Sequence, residues 1–341
     1  MWCTRFRPTD LDELDLHPAS QNILQSLSTS KNLPHLLFVG SSGSGRHTRA
    51  LCLLKRIFNL TSINPISSTV TYTHNTQQNE LTVVSSPVHL EINPSMVGTQ
   101  DASVISSVIK EAATTKSVNS AFKVIFIQQA DRLSQLAQQA LRRLMEEHAR
   151  TCKIFMFCED ASGLLAPIRS RCFILRFPHI KRDEMLSTIK PILSRVRASI
   201  SQQELVELSD CACGNLRRFL LLSQAYYVSK EASNQVQEVL PKWEVRSKQL
   251  FDKFFVKKEQ LSADFRAGLV EVLKLGVPPE VVLEWFYTQI VKQEPVNMKF
   301  LNYVAGQACE FDCRLKGASI GLVHLEAFLC SVLHAQSLRK E

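Results

Sequence analysis

No stretch of this 341-residue sequence comes near the roughly 18 to 20 apolar residues that a helix needs to cross a bilayer. That excludes a helical membrane span. Met1 to Pro8 carries Arg5 and Arg7 but no apolar run follows, so the pattern of a secretory signal is missing and a reducing compartment is expected. Zinc-finger spacing is absent as well. Cys211/Cys213 and Cys309/Cys313 are the close pairs among ten cysteines, and neither has a second pair or a histidine at the required distance. Cys152, Cys158 and Cys172 lie inside apolar segments, where a thiol serves as packing; no metal site is expected. The nine histidines show no i, i+4 pairing. No Ser/His/Asp or Cys/His arrangement stands out, and there are no repeats and no low-complexity tail.

What is present is ordinary globular material, 45% apolar and 21% charged, long enough for two or three domains. The net charge of +8 is uneven: +5 falls in residues 1–177, +1 in 178–240 and +2 in 241–341. The excess in the first segment is a mild pointer to a polyanionic partner there. His35–Val39 reads as a short strand running into the glycine- and serine-rich Gly40–Gly45. A helix should follow with Leu51, Leu53, Leu54 and Ile57 on its buried stripe. Phe122–Ile127, Ile154–Phe157 and Phe173–Phe177 read as buried strands, and Leu133, Leu136, Ala137, Ala140, Leu141, Leu144 and Met145 keep helical spacing. Strands alternating with helices predict an α/β domain with a parallel sheet and flanking helices over residues 1–177. Between about 59 and 88 the sequence turns polar. There Val70/Tyr72 and Leu81/Val83 alternate on either side of a turn at Asn75–Asn79, which suggests an inserted hairpin. Helical patterns at 183–195, 201–209 and 215–228 indicate a small helical lid over 178–240. From 241 to 341 an all-α domain is expected, with stripes such as Leu261, Phe265, Leu269 and Val272, then Val281, Val282, Trp285 and Phe286, and a last helix from about 318. Trp243, Phe254, Phe255, Trp285, Phe286 and Phe328 are assigned to its core.

A phosphate-binding loop needs glycines so that successive N–H groups face the phosphates, a lysine for the outer phosphates, and a Ser or Thr for magnesium. Gly40-Ser41-Ser42-Gly43-Ser44-Gly45 fits the first demand, but Arg46 replaces the lysine and His47 the hydroxyl. An ordinary Gly/Ser turn is the alternative. An active site of this type also ends the strand Val124–Ile127 in two acids, one for the metal and one to polarise water. Here the residues are Gln128 and Gln129, which keep the shape without the charge.

With those residues in view, the chain resembles the small subunits of replication factor C, the AAA+ clamp loader of eukaryotic replication. The resemblance rests on Trp2-Cys3-Thr4-Arg5-Phe6-Arg7-Pro8, Pro34-His35-Leu36-Leu37, Glu91-Ile92-Asn93-Pro94-Ser95, and Ala137-Gln138-Gln139-Ala140-Leu141-Arg142-Arg143 with Met145-Glu146. It continues through Pro167-Ile168-Arg169-Ser170-Arg171-Cys172, Gly214-Asn215-Leu216-Arg217-Arg218, Pro278-Pro279-Glu280 and His324-Leu325-Glu326-Ala327-Phe328. The inserted hairpin and the decayed loop are similar to the subfamily numbered 3 in some nomenclatures and 5 in others.

The resemblance implies an AAA+ domain, a lid and a collar. It also implies a seat in a five-membered arc with the large subunit and three other small subunits, the PCNA sliding clamp and primer–template DNA as further partners, and a nuclear location. Arg5, Arg7, Pro8, Gly40, Gly43, Gly45, Arg46, His47 and Arg217 would face nucleotide, since guanidinium groups bind phosphate well. Gln128, Gln129 and Glu159 are its degenerate positions. No intrinsic ATPase is expected, and ADP or ATP held without turnover, or an empty site with Glu159 paired to Arg46, stay open. Arg171 of the Ser-Arg-Cys motif would enter a neighbour's ATP site as an arginine finger, against the plainer reading of a surface arginine capping a helix end. Arg142 and Arg143 lie off the apolar stripe, and DNA contact and salt bridges are both open for them. The segment 95–115 is where the family approaches the clamp. The competing readings are an active AAA+ ATPase of another machine, such as an origin or helicase loader, and an adaptor stacking through residues 241–341.

Overall fold

The structure is a computed structural model that describes all residues except 31, 75–76, 94–100, 115–121, 230–238, 258–262, 294–297, 318–319 and 338–341. Asn75, Pro94, Ser95 and Leu261, and part of the segment 95–115, therefore lie outside the described residues. The chain divides into two units, Met1–Asn234 and Gln235–Glu341.

The first unit opens with α1 (Trp2–Arg5), α2 (Pro18–Thr29), β1 (His35–Gly40) and α3 (Arg46–Ile57). It continues through β2 (Ile66–His74), β3 (Gln77–Ser85), β4 (His89–Ile92), α4 (Asp101–Thr114), β5 (Lys123–Ile127), α5 (Gln135–Glu147), β6 (Cys152–Cys158), α6 (Ala166–Arg169) and β7 (Cys172–Phe177). The helices α7 (Arg182–Val196), α8 (Gln202–Ala212) and α9 (Leu216–Ser229) complete it. Seven strands lie in the order β2-β3-β4-β5-β6-β1-β7. From β4 to β7 every pairing is parallel, and β2-β3-β4 extend the sheet in antiparallel fashion.

The register explains why near-continuous apolar runs form these strands. Alternate residues serve opposite faces, and a sheet covered on both sides needs apolar side chains at every position. On one face Phe126, Phe155, Phe157, Phe38 and Phe177 form a contiguous aromatic layer, with neighbouring ring centroids 5.1 to 5.9 Å apart, beneath α2 and α3. On the other face Leu37, Ile125, Ile127, Ile154 and Met156 pack with the apolar sides of α4 and α5.

Several side chains depart from the periodicity reading. Helix α3 buries Arg49, Ala50, Cys52, Leu53 and Leu54, while Leu51 and Ile57 are half-buried. Leu136 is 71% exposed, because the helix begins at Gln135 and its buried stripe runs through Ala137, Gln138, Leu141, Leu144 and Met145. A polar Gln138 takes the core place that spacing gave to leucine. Phe173 is exposed, since β7 pairs only with β1 among the described residues. Gln77–Asn79, expected in a turn, instead pair with residues 72–74. A backbone ladder continues through polar residues that carry no apolar alternation. Burial pushes the thiol of Cys52 up to about 11 and those of Cys158 and Cys172 up to about 12, so they stay protonated.

The second unit is all-helical among its described residues: α10 (Lys242–Phe251), a widened helical turn at Asp252–Val256, α11 (Ala263–Lys274), α12 (Pro279–Gln293), α13 (Met298–Gly317) and α14 (Gly321–Ser337). Phe254, Phe255, Phe286 and Phe328 are buried in its core, and Trp243 and Trp285 pack against it half-buried. Val281 faces outward at 40% exposure while Val282 is fully buried. No helix among the described residues is long and apolar enough to cross a membrane.

Candidate nucleotide site and arginine pair

Strand β1 ends at Gly40 and α3 begins at Arg46, so the loop between them sits at the carboxyl end of the parallel strands, where α/β sheets gather their ligands. Gly43 and Gly45 hold φ of +75° and +83°, a left-handed region that costs an L side chain roughly 1 kcal/mol. Gly43 also lies so close to the Asn215 side chain that a Cβ there would overlap it. Asn215 caps the start of α9, its Oδ1 accepting from the Arg218 N–H at 3.0 Å, so α9 begins against the loop. The hydroxyls of Ser41 and Ser44 are buried with no hydrogen-bond partner. Orphaned hydroxyls, glycine-freed N–H groups and a helix start together fit an anion.

Beneath the loop lies a residue that periodicity did not single out. Arg49 is 2% exposed. It donates from Nη1 to the Ser44 carbonyl (3.0 Å) and from Nη2 to the Leu16 carbonyl (2.8 Å), and its guanidinium lies 5.3 Å from the Phe177 ring centre. Burial lowers its pKa to about 10, so it remains cationic at neutral pH. It braces the loop from below and adds positive charge there. The one sign of it in the sequence is an arginine on the apolar side of α3.

Around the loop stand Arg46, His47, Arg7 and Arg217. The N-terminal helix brings Arg7 in: Trp2 donates its backbone N–H to Gln224 Oε1 (2.7 Å) and its ring lies tilted against Tyr227, with centroids 5.8 Å apart, which fixes α1 on α9. Arg7 Nε donates to Thr48 Oγ1 at 3.0 Å, and its Nη2 lies 3.3 Å from His47 Nδ1. His47 Nε2 is 2.6 Å from Glu91 Oε1. An arginine can only donate, so in this arrangement Nδ1 accepts from Arg7 and Nε2 donates to Glu91. Burial, followed by the nearby Arg217, lowers the Arg7 guanidinium from its ordinary value, with Glu91 opposing.

Glu91 reaches His47 because β4 presents His89 and Glu91, two residues apart, to the face that carries α3; Glu91 is in register with Phe126. His89 is fully buried, its Nδ1 2.6 Å from Ser86 Oγ and its Nε2 3.4 Å from Glu91 Oε1. Burial alone would raise the Glu91 carboxyl, but the hydrogen bond from His47 and the approach of His89 outweigh it and bring the pKa to about 2. Two histidines dispersed in sequence thus meet on one carboxylate.

On the other side of the loop, Arg46 Nη1 donates to the Cys158 carbonyl, and Nη2 lies 4.0 Å from Glu159, which is 65% exposed. Asp131 is nearby, its Oδ2 accepting from the Glu159 N–H at 3.2 Å. Burial lowers the Arg46 guanidinium, Glu159 chiefly opposes that, and Arg217 adds to it. Arg217 therefore repels both Arg7 and Arg46, and the three guanidiniums are suited to a polyphosphate. Of the remaining candidates, Arg217 and Arg5 are exposed, Arg5 lies over Phe6 (5.5 Å), and the Pro8 carbonyl accepts from Cys52 Sγ.

The residues do not fit the magnesium that this fold family implies. The hydroxyl position is a histidine already bonded to Glu91. Gln128 and Gln129 are neutral, Gln129 at φ +48°, and no group of three metal-binding side chains is found among the described residues.

A second constellation lies on α5 and the segment after β6. Gln138 is 2% exposed; its Nε2 donates to the Leu133 and Gly163 carbonyls (3.1 and 3.0 Å), and its Oε1 accepts from the Leu165 N–H (2.8 Å). That fixes the start of α6, and hence Arg171 just beyond it. Arg171 Nη1 donates to the Pro167 carbonyl at 2.8 Å and Nη2 pairs with Glu146 Oε1 at 2.5 Å. Arg142 and Arg143 are both exposed on α5, and Arg142 Nε lies 3.5 Å from the same Glu146 oxygen.

Comparison with known proteins agrees with this architecture. Residues 16–181 match the family model described as DNA polymerase III, delta subunit. The chain is 29% identical over 340 residues to a probable replication factor C subunit 3 of Dictyostelium discoideum, covering 98% of this chain and 97% of that protein. It is 29% identical to replication factor C subunit 3 of Homo sapiens, covering 98% and 95%. Replication factor C subunit 5 of Saccharomyces cerevisiae is also 29% identical, covering 98% of both. Among solved structures, the Thermotoga maritima RuvB Holliday junction branch migration motor superposes with a TM-score of 0.51 at 15% identity, covering 77% of this chain and 85% of that one, a likeness of fold alone. Fold, motifs and near-full-length relatives converge on one likeness: along almost its whole length the chain is similar to the replication factor C small subunits.

Proposed function

We propose that this subunit holds a nucleotide without hydrolysing it and lends Arg171 to the ATP site of a neighbouring subunit in the assembled loader. One observation carries the first half: the loop keeps its glycine geometry, orphaned hydroxyls and three arginines, while His47 is tied to Glu91 and Gln128-Gln129 replace the acid pair. Arginines take over phosphate neutralisation, so binding of ADP or ATP needs no metal, and nothing activates water. The relatives' name supports a place among the other replication factor C subunits. PCNA, primer–template DNA approached by Arg142 and Arg143, and a nuclear location belong to the same reading. Residues 1–177 act as the AAA+ domain, 178–240 as its lid and 241–341 as the collar.

For the second half, the support is Arg171's half-buried guanidinium just beyond α6, held on two of its nitrogens with N–H groups left over. A finger in trans is worth roughly 10³ to 10⁵ in rate. Arg171→Ala should leave assembly intact and abolish most DNA-stimulated hydrolysis at the adjacent site; normal hydrolysis there would disprove the assignment. Equilibrium titration of the isolated chain with labelled ADP and ATP, with and without EDTA, tests the site itself. Binding should persist in EDTA. Brisk magnesium-dependent turnover would sink the inactive reading.

A further inference from the structure

Among the described residues, Glu146 is the one carboxylate paired with both Arg142 and Arg171. Its Oε1 lies 2.5 Å from Arg171 Nη2 and 3.5 Å from Arg142 Nε. Glu146 and Arg142 are four residues apart on α5, so the helix holds both on one face. Arg171 arrives from α6, whose start is fixed by the buried Gln138 of that same helix α5. The carboxylate is half exposed, at 48%, and Arg171, then Arg142, hold it below its ordinary pKa through hydrogen bonds.

We propose that Glu146 positions Arg171 and couples it to Arg142, so that a polyanion engaging Arg142 tightens the hold on Arg171. The inference rests on the trans-acting role of Arg171 and the DNA contact of Arg142 proposed above. A carboxylate oxygen shared between two guanidiniums divides its attraction between them. When a DNA phosphate draws Arg142 away, that oxygen serves Arg171 alone, and the guanidinium fork, already anchored on the Pro167 carbonyl, is held at a second point. Its free N–H groups then face outward in one orientation, which lowers the entropic cost of meeting a neighbour's phosphates. Linkage makes the coupling reciprocal: an Arg171 held more firmly by Glu146 leaves Arg142 freer for DNA.

The test uses the whole loader, reconstituted with this chain as the only altered subunit, and reads kcat and KM for ATP hydrolysis with and without primer–template DNA. Glu146→Gln should lower the DNA-stimulated kcat by about tenfold with KM for ATP unchanged, a sign that positioning rather than nucleotide binding was lost. Arg142→Gln, which frees Glu146 without DNA, should raise the DNA-free kcat in the wild-type background and have no effect in the Glu146→Gln background. Should Glu146→Gln fail to assemble, Glu146→Asp, which keeps the charge at shorter reach, is compared in the same way. Unchanged kcat and unchanged DNA stimulation in the Glu146 variant would overturn the inference, as would an Arg142→Gln effect of equal size in both backgrounds. The Arg171→Ala loader separates the two failures: wild-type hydrolysis there rejects the trans finger itself, whereas a loss there with no effect at Glu146 rejects only the coupling.

Discussion

His47 occupies the position where a metal-binding hydroxyl would stand, and its ring spans Arg7 on one nitrogen and Glu91 on the other. The carboxylate held there makes a stability prediction. Glu91 has a folded pKa of about 2 against an ordinary 4.5, so its contribution is fully present above pH 4.5 and is lost as pH falls through about 2. Glu91→Gln should therefore cost on the order of 2 to 3 kcal/mol at pH 7 and converge with the parent protein near pH 2, read by denaturant melts across that range. His35 behaves in a separate window. Its Nδ1 accepts from the buried Ile154 N–H at 3.0 Å, and burial, helped by Lys153, lowers its pKa to about 4. The unfolded chain takes up that proton first, so the stabilising effect is complete above pH 6.5 and falls away as pH drops toward about 4. An NMR titration of the His35 ring should show no protonation down to pH 5. Gln128 and Gln129 were legible as lost acids from the sequence; the Glu91 relay was not, because 44 residues separate its two members.

At the scale of elements, the register of β4 decides the site. A strand carrying His89 and Glu91 on one face places both over the aromatic layer and under α3, and a slip of one residue would turn them to the α4–α5 side. Helix α5 is similarly set by polar groups. Ser134 caps it, accepting from the Ala137 N–H at 3.1 Å, and the buried Asp101 of α4 accepts from the Ser134 N–H and hydroxyl at 2.7 and 2.9 Å. Gln138 then ties α5 to the segment leading into α6. Gln138→Ala should leave the Leu133 and Gly163 carbonyls and the Leu165 N–H without that partner, costing about 2 to 3 kcal/mol in thermal or denaturant unfolding. Loss of neighbour hydrolysis should accompany it, since the base of Arg171 would shift. The helical spacing of α5 was plain in the sequence, yet it assigned Leu136 inward and passed over Gln138; spacing records hydrophobicity, and a satisfied buried amide is invisible to it.

For the whole molecule, each unit has its own core: two layers on either side of the sheet in Met1–Asn234, and a phenylalanine-rich helical core in Gln235–Glu341. A chain ending at Asn234 should unfold cooperatively and still bind labelled ADP, but fail to enter the loader in a gel-filtration assay. Incorporation of that truncated chain would show that residues 235–341 are not the collar.

Apolar runs that alternate with helical stripes were enough to dictate a parallel sheet flanked by helices and a helical tail, because burial of contiguous side chains is a local, additive property of the chain. The loss of lysine, hydroxyl and acid pair could likewise be read residue by residue. Only the tertiary structure decided that Glu91 ties down the histidine at the metal-hydroxyl position, that Arg49 lies beneath the loop, that Asn215 closes on Gly43, and that Glu146 stands between Arg142 and Arg171. These are pairings of charged and polar groups. Their energies depend on distances of a few ångströms between segments far apart in the chain, or on the exact face of a helix, and periodicity contains neither quantity.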